Sequence, residues 1–272
     1  MRTAIITADD FGVSRQVNEA VEQAHRAGIL TVTSLMVTGA AAADAVARAR
    51  ANPTLGVGLH VALAETPPAL PASQIPDLVD KHGAFRIESL PVALALVARP
   101  AVRRQLEAEI DAQFALFAAT DLPLDHVNSH KHMHLHPVIG AILLKVGLRH
   151  GMKALRAPIE DRALLAEPVG GLDIAKPFAR RVQRSARRAG VQVPDRTFGL
   201  AWSGEMRAER VRGILETLPG GVSEIYLHPA TGPYPLSAPG YQYEAELAAL
   251  TDPGVLAIVA ERGITLARFG DL

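Results

Sequence analysis

The feature that most constrains the fold is the alternation of short β-branched runs with helical patterns along nearly the whole chain. The first run, TAIITA at 3–8, precedes a helical pattern over 14–27 that stops at Gly28. Further strands are predicted at 31–38, 55–61, 124–132, 154–158, 224–230 and 264–269. Further helices are predicted near 41–51, 100–119, 137–149, 206–217 and 253–262. Because strands that alternate with helices form βαβ units, the sequence predicts an α/β fold with a parallel sheet or barrel.

Length and composition narrow the choices further. The 272 residues fit one α/β barrel of about 250 residues, and no repeat or linker marks a boundary, so we expect a single domain over 1–272. Lys+Arg and Asp+Glu each number 28, which gives no whole-chain field to attract nucleic acid. The chain has no cysteine, which excludes disulfides and thiolate sites. Any metal ion must therefore be bound by His, Asp or Glu.

The sequence also bears on location. The apolar run before the first Asp pair is too short for the apolar region of a signal peptide. No apolar run reaches the roughly 18 residues that a membrane span needs. These features predict a cytoplasmic protein.

Two segments interrupt the alternation. The stretch 65–85 contains Pro67, Pro68, Pro71 and Pro76, which predicts an ordered, extended loop. Long loops inside compact domains are often functional, so a lid or substrate wall and a plain surface insertion both stay open.

The second segment is 178–190, where four arginines share one helical face: Arg180, Arg184, Arg187 and Arg188. Such a face is usually solvated, and the alternative is contact with an anionic surface.

Histidine is concentrated in DHVNSHKHMHLHP, where five histidines share parity: His126, His130, His132, His134 and His136. On a strand this parity would place them on one face. Pro137 indicates the start of a helix, so we expect the strand to end near 130–132 and the last two histidines to lie in the turn. Two or three histidines converging at a strand end are typical of metal ligands.

Polar residues close several predicted strands: the Asp9–Asp10 pair, His60, His130 and His228. In parallel α/β folds the carboxyl edge of the sheet is where ligands bind. One Asp with two imidazoles is a ligand set that leaves positions for water and substrate, as in catalytic sites. Hydrolysis of an amide or ester is the chemistry that such a site favours.

Asp9 and Asp10 raise a question of their own, because adjacent like charges raise one pKa unless a cation lies between them. One explanation is a turn in which one Asp caps the helix near Val13 and the other is solvated. The other is that one binds a metal and its neighbour acts as base, with the order of the two roles left open. Neighbours on a regular strand point to opposite faces, so we expect the strand to end at this pair.

Two glycines, Gly56 and Gly58, precede His60 on the same face of its predicted strand. Glycine in a strand leaves room for close neighbours, so we expect another side chain to approach there.

The motifs TADDFG, GLHV, NSHKHMH, LRAP and YLHP, in this order and spacing, resemble the YdjC family of carbohydrate deacetylases, which includes chitooligosaccharide deacetylases. The resemblance covers 3 to about 269. It implies a distorted (β/α) barrel related to the NodB-like polysaccharide deacetylases. It also implies one divalent metal ion and removal of an acetyl group from an N-acetylated sugar.

The resemblance implies roles for individual residues. By motif, the metal ligands match Asp10, His60 and His130. The base matches Asp9, the acid matches His228, and Arg156 is expected to orient Asp9. Zinc and magnesium both stay open as the ion. Lys131 stands between two histidines, so it stays open whether His132 or His134 joins the site.

VNSHKHMHLHP and SLMVTGAAAADAVARAR look most like the hopanoid-biosynthesis-associated branch, whose suggested substrate is an N-acetylglucosaminyl hopanoid lipid. This would give the arginine face of 180–188 a use at anionic lipid headgroups, at the inner membrane surface. Several alternatives stay open: a deacetylase of soluble chitooligosaccharides, a metal-dependent hydrolase of a phosphoester or non-sugar amide, and a metal- or sugar-binding barrel without turnover. A homodimer also stays open.

Overall fold

The computed structural model describes residues 1–165, 167, 169 and 173–272. These residues form a seven-stranded parallel sheet in the order β4-β3-β2-β1-β6-β5, with β7 paired to β1. The strands are β1 (Arg2–Phe11), β2 (Val32–Leu35), β3 (Gly56–Val61), β4 (Leu124–Ser129), β5 (Arg196–Phe198), β6 (Gly221–Leu227) and β7 (Thr265–Leu266).

Helices alternate with the strands, as the sequence predicts. They are α1 (Arg15–Ala27), α2 (Ala42–Ala51), α3 (Leu90–Ala98), α4 (Pro100–Ala118), α5 (Pro137–Arg149), α6 (Lys176–Arg188), α7 (Ala208–Glu216), α8 (Tyr243–Thr251) and α9 (Pro253–Glu261). In α1, Val17, Val21 and Ala24 are buried at helical spacing, and the Ser14 side chain caps the helix by accepting from the Val17 N–H at 3.2 Å. Within the described ranges, no helix combines the length and apolar character that crossing a membrane requires.

The barrel closes irregularly between β4 and β5. The predicted strand at 154–158 is wrong as a continuous strand, because only isolated bridges form there: Leu155 pairs with Val127 of β4, and Ala154 pairs with Gln192. Each of these two neighbouring residues makes a single bridge to a different segment, so no continuous ladder of hydrogen bonds forms. The expectation of a distorted (β/α) barrel is confirmed.

The bounds of two predicted strands also need correction. β4 ends at Ser129, and a 3-10 helix over His130–Leu135 replaces the predicted continuation to 130–132, since Lys131 and His132 take left-handed φ values of 52° and 51°. The last predicted strand, 264–269, shrinks to Thr265–Leu266 because a 3-10 turn begins at Phe269.

Side chains alternate across the strands, which separates the core from the barrel interior. In β1, Ile6 and Ala8 pack in the large apolar core. The opposite parity points inward: Ile5 joins a small apolar cluster with Val32 and Phe269, whereas Thr7 donates to Glu224 at 2.8 Å. The interior thus changes from apolar at the amino end of the strands to polar at the carboxyl end.

Candidate active site

A bulge in β1 brings the two adjacent carboxylates to one site. The register with β2 shifts between Ala8 and Phe11, and Asp10 has a left-handed φ of 65°. The expected strand end at Asp9 and Asp10 is therefore wrong, because β1 continues to Phe11. The bulge reverses the normal alternation, so both carboxylates line the same cavity.

Asp10, His60 and His130 meet at the carboxyl edge of the sheet. Asp10 Oδ1 lies 3.0 Å from His130 Nδ1 and 3.3 Å from His60 Nε2. One potential ligand atom from each residue lies within 4.8 Å of the others. This is the triad that the sequence motifs single out. One carboxylate and two imidazoles suit a divalent cation such as zinc.

The surroundings of His60 fit a metal ligand. Its Nδ1 lies 2.6 Å from the amide oxygen of Asn128, which can only accept a hydrogen bond. Nδ1 therefore carries the proton, and the Nε2 lone pair faces Asp10. The Asn128 amide nitrogen donates to Ser34 at 2.8 Å and to Asp9 at 3.2 Å.

His130 has a second carboxylate on its other side. Its Nε2 lies 2.8 Å from Glu65 Oε2. Burial opposes a charge on this ring, but Asp10 and Glu65 outweigh it and raise the pKa of His130 to about 9. Burial likewise opposes the charge on Asp10, yet His130 holds the pKa of that carboxyl well below its usual range. The surroundings of Asp10 and His130 therefore favour a positive charge next to the Asp10 carboxylate.

Asp9 is held by a buried arginine. Arg156 donates to Asp9 Oδ2 at 2.5 Å and Oδ1 at 3.0 Å, and its Nε donates to Glu224 at 2.9 Å. Burial raises the pKa of Asp9, but the Arg156 charge outweighs that effect and lowers it far below the usual range. Arg156 also lies 4.5 Å from the ring centre of Tyr226. The predicted contact between Arg156 and Asp9 is present.

His228 lines the same cavity as Asp9 and Asp10. Its Nδ1 is buried and has no hydrogen-bond partner among the described residues. Its backbone N–H donates to the buried carboxylate of Glu246, which anchors this end of β6. The ring lies 5.3 Å from that of Tyr241. His228 is thus placed where it could meet a bound substrate.

The other histidines of the cluster serve different purposes. His134 is fully buried between Ser129 Oγ, at 2.7 Å, and the Arg156 carbonyl, at 3.1 Å, so it supports the turn and does not join the triad. His132 lines the cavity and bonds to Tyr226 through Nε2 at 3.0 Å, also outside the triad. His126 occupies the space above Gly58, where an added Cβ would lie 2.5 Å from its ring. The close approach expected beside Gly58 is confirmed.

One wall of the cavity consists of residues that the sequence analysis did not single out: Ser203, Tyr234, Leu236, Tyr241 and Tyr243. The Tyr241 hydroxyl lies 2.9 Å from Ser203 Oγ. Three of the four tyrosines of the chain fall within 234–243, and that local enrichment could have pointed to this wall. The same cavity is also lined by four charged or titratable side chains: Asp10, His130, Glu65 and Lys131.

The Pro-rich loop reaches the cavity only at its start. Glu65 and Thr66 line the cavity. Further along, the backbone N–H groups of Ala69 and Leu70 donate to the buried Glu109 of α4 at 2.8 and 3.0 Å. The loop has neither helix nor strand, as its prolines predict, and is anchored to α4. The expectation that it is extended is wrong, because it folds into successive turns in which the Gln74 N–H donates to the Pro71 carbonyl and the Leu78 N–H to the Ile75 carbonyl.

Comparison with known proteins decides the family. A model of the YdjC-like protein family matches residues 3–261. The chain belongs to the YdjC family. This confirms the resemblance carried by the five motifs.

Relatives of this YdjC protein match it almost end to end. A carbohydrate deacetylase of Geobacillus stearothermophilus is 31% identical over 274 residues, covering 98% of this chain and 97% of that protein. A chitooligosaccharide deacetylase of Serratia marcescens is 30% identical over 285 residues, covering 98% of each. A solved structure from Enterococcus faecalis, described as a cellobiose-phosphate cleavage protein, has a TM-score of 0.80 at 26% identity, with 99% of this chain and 98% of that chain covered.

Proposed function

We propose that this YdjC protein is a metal-dependent hydrolase that removes the acetyl group from an N-acetylated sugar. The observation that carries the proposal is the meeting of the Asp10, His60 and His130 triad with an arginine-held Asp9 in one cavity. The names of the full-length relatives give the substrate class. A two-metal phosphatase would need more bridging carboxylates than this cavity wall offers.

The division of roles follows from the surroundings of each group. An ion held by Asp10, His60 and His130 supplies a lowered pKa for water in the site and polarises the acetyl carbonyl. Arg156 keeps Asp9 ionised and fixes both of its oxygens, so Asp9 accepts the proton of the attacking water. His228, which lines the same cavity just after the end of the neighbouring strand β6, donates a proton to the leaving nitrogen.

Acetate release tests this proposal directly. Mass spectrometry of purified protein with N-acetylglucosaminyl substrates should show acetate and the free amine, and chelation should abolish the reaction until Zn²⁺ or Mg²⁺ is returned. Elemental analysis should find one divalent ion, which His60→Ala and His130→Ala should lose. Acetate release that survives chelation, or unchanged metal content in both variants, would contradict metal dependence.

For the substrate we further propose the N-acetylglucosaminyl headgroup of a hopanoid lipid, with soluble chitooligosaccharides as the alternative. The tyrosine wall suits the apolar faces and hydroxyl edges of a pyranose ring. Leu236, which is 46% exposed, adds an apolar group at that wall. Parallel assays on a glycolipid and on chitobiose decide between them, because faster turnover of chitobiose would exclude the lipid assignment.

Contact with an anionic membrane surface through α6 is a separate proposal. Arg180, Arg184 and Arg188 are exposed there together with Phe178, whereas Arg187 is partly engaged by Asp195 at 2.9 Å. Vesicles that contain phosphatidylglycerol should sediment the protein in a salt-dependent manner, and neutral vesicles should not. Arg180→Gln with Arg184→Gln should lose this binding, and equal binding by the variant would contradict it.

The loop at 65–85 is proposed as a wall of the substrate site. Shortening it beyond Thr66, with Glu65 retained, should raise KM or change acceptor preference while metal content stays the same. Unaltered kinetics on every substrate would leave it a surface insertion.

A further inference from the structure

Glu65 links the cavity mouth to one corner of the triad. Its Oε2 lies 2.8 Å from His130 Nε2, and its Oε1 lies 2.5 Å from Lys131 Nζ. Lys131 in turn lies 3.2 Å from Glu88. Glu65 follows β3 by four residues and is not one of the three clustered ligand groups.

The backbone at this contact is unusual. Glu65 has a φ of 64° and Lys131 has a φ of 52°, both in the left-handed region that residues other than glycine rarely adopt. One of these residues lies in the loop after β3 and the other in the 3-10 turn after β4, and they meet in one ion pair. Strained conformations of this kind persist where surrounding contacts determine them, and they cluster at functional sites.

The two imidazoles of the triad have different outer partners. His60 has the neutral amide oxygen of Asn128, whereas His130 has the carboxylate of Glu65. A carboxylate that accepts the second N–H of a ligating imidazole fixes the tautomer, aims the free nitrogen and increases its basicity. On His130 this leaves Nδ1, the nitrogen nearest Asp10, as the nitrogen whose lone pair can bind a metal ion.

We propose that Glu65 is a positioning residue that aims His130 Nδ1 at the metal and thereby couples the start of the 65–85 loop to metal affinity. Lys131 holds the other oxygen of Glu65 and keeps the carboxylate facing His130. The inference rests on the proposed metal site but not on the identity of the substrate.

Calorimetric titration of the metal-free, full-length protein with Zn²⁺ and with Mg²⁺ tests the proposal without substrate. Removal of such an outer partner typically weakens metal affinity about 10- to 100-fold. We expect Glu65→Gln at the lower end of that range, because its amide oxygen still accepts from Nε2, and Glu65→Gly at the upper end. The matched control is Glu88→Gln, which removes the other acidic partner of Lys131 and should leave affinity within about twofold.

Glu65→Gly also separates the two roles that Glu65 could have. Glycine adopts the left-handed backbone without strain, so a purely conformational role predicts wild-type metal affinity in this variant. Thermal unfolding of the metal-free proteins checks that each variant is folded. Wild-type affinity in both Glu65 variants overturns the inference and leaves the metal site intact, whereas a wild-type protein that binds neither ion overturns both.

Discussion

His60 and His130 point nitrogen atoms at the same carboxylate from very different surroundings. His60 lies on β3, is buried, and bonds to Asn128 on the neighbouring strand. His130 follows the end of β4 and bonds to Glu65, whose side chain is 41% exposed. Hydrogen-bonded strands fix the first imidazole, and contacts between two loops fix the second.

The contrast extends to the rest of the cavity. We call the buried group the interior half: Asp9, His60, Asn128, Arg156 and Glu224. We call the group at the mouth the loop half: Glu65, His130 and Lys131. The interior half is buried and densely hydrogen-bonded, which suits the groups that must be placed accurately for proton transfer. The loop half is partly exposed, which suits the entry of ion and substrate.

The largest expected effect separates the two adjacent carboxylates. Asp9→Asn should keep the metal and lose turnover by about 10²- to 10⁴-fold, because it removes a positioned base. Asp10→Asn should lose both metal and turnover, because it removes one of three ligands. Elemental analysis and acetate release on both variants measure the two properties. A metal-free Asp9→Asn beside a metal-replete Asp10→Asn would exchange the roles.

Removing one cation from each half tests whether the two halves contribute differently to stability. Arg156→Met leaves Asp9 and Glu224 buried without their cation and should cost about 3–5 kcal/mol of the free energy of unfolding. Lys131→Met removes a partly exposed ion pair and should cost at most about 1 kcal/mol. Urea unfolding of the metal-free proteins measures both. Equal losses of unfolding free energy would mean that the ion pair of the loop half stabilises the protein as much as that of the interior half.

The sequence predicts residues that close strands better than residues whose partners come from distant parts of the chain, for a physical reason. Polar residues that close β-branched runs mark the carboxyl edge of a parallel sheet, so Asp10, His60 and His130 could be singled out from pattern and motif. Glu65 could not, because a lone Glu in a Pro-rich stretch has no periodicity, and its role comes from the meeting of two loops. The buried pairing of Glu224 with Arg156 is equally hidden, since 68 residues separate them.

The fold shows the same limit. Alternation of strands and helices predicts the barrel and most of its elements, because those elements have buried faces with a clear period. β5 (Arg196–Phe198) was not predicted, since three residues are too few to show a period. The bulge at Asp10 was also missed, because it depends on the register of β1 against β2.

The buried, uncharged His134 in the turn after β4 should make the protein less stable in acid. Burial, with the Arg156 charge, lowers the pKa of His134 to about 3. Below the ordinary value near 6.5, the unfolded state binds a proton that the folded state excludes, so stability falls as pH falls. Between pH 6.5 and 4.5 this amounts to about 2–3 kcal/mol.

His134→Gln provides the control for that acid dependence. The amide can still contact Ser129 and the Arg156 carbonyl but cannot take up the proton. Urea unfolding at several pH values should therefore show a flatter dependence between pH 6.5 and 4.5 in the variant. Identical slopes would assign the acid sensitivity to other groups.

The smallest expected effect concerns a second loop, 232–242, which should adjust substrate binding without altering the chemistry. Tyr241 contacts Ser203 through its hydroxyl at 2.9 Å, and its ring lies flat against Gly204, where an added Cβ would be 2.3 Å from ring carbons. If this hydroxyl pair binds a sugar hydroxyl, Tyr241→Phe removes one neutral hydrogen bond, worth about 0.5–1.5 kcal/mol. The expected result is a KM raised about two- to tenfold with kcat nearly unchanged.

Ser203→Ala should reproduce that rise in KM. The double variant should be no worse than either single one, because residues that act through one hydrogen bond are not additive. Gly204→Ala, which must displace the ring, should raise KM at least as much while both hydroxyls remain. Steady-state kinetics on one N-acetylated disaccharide measures all four variants. A fall in kcat at constant KM would contradict this prediction. It would mean that Tyr241 acts in the chemical step, like the interior half, and not in substrate binding alone.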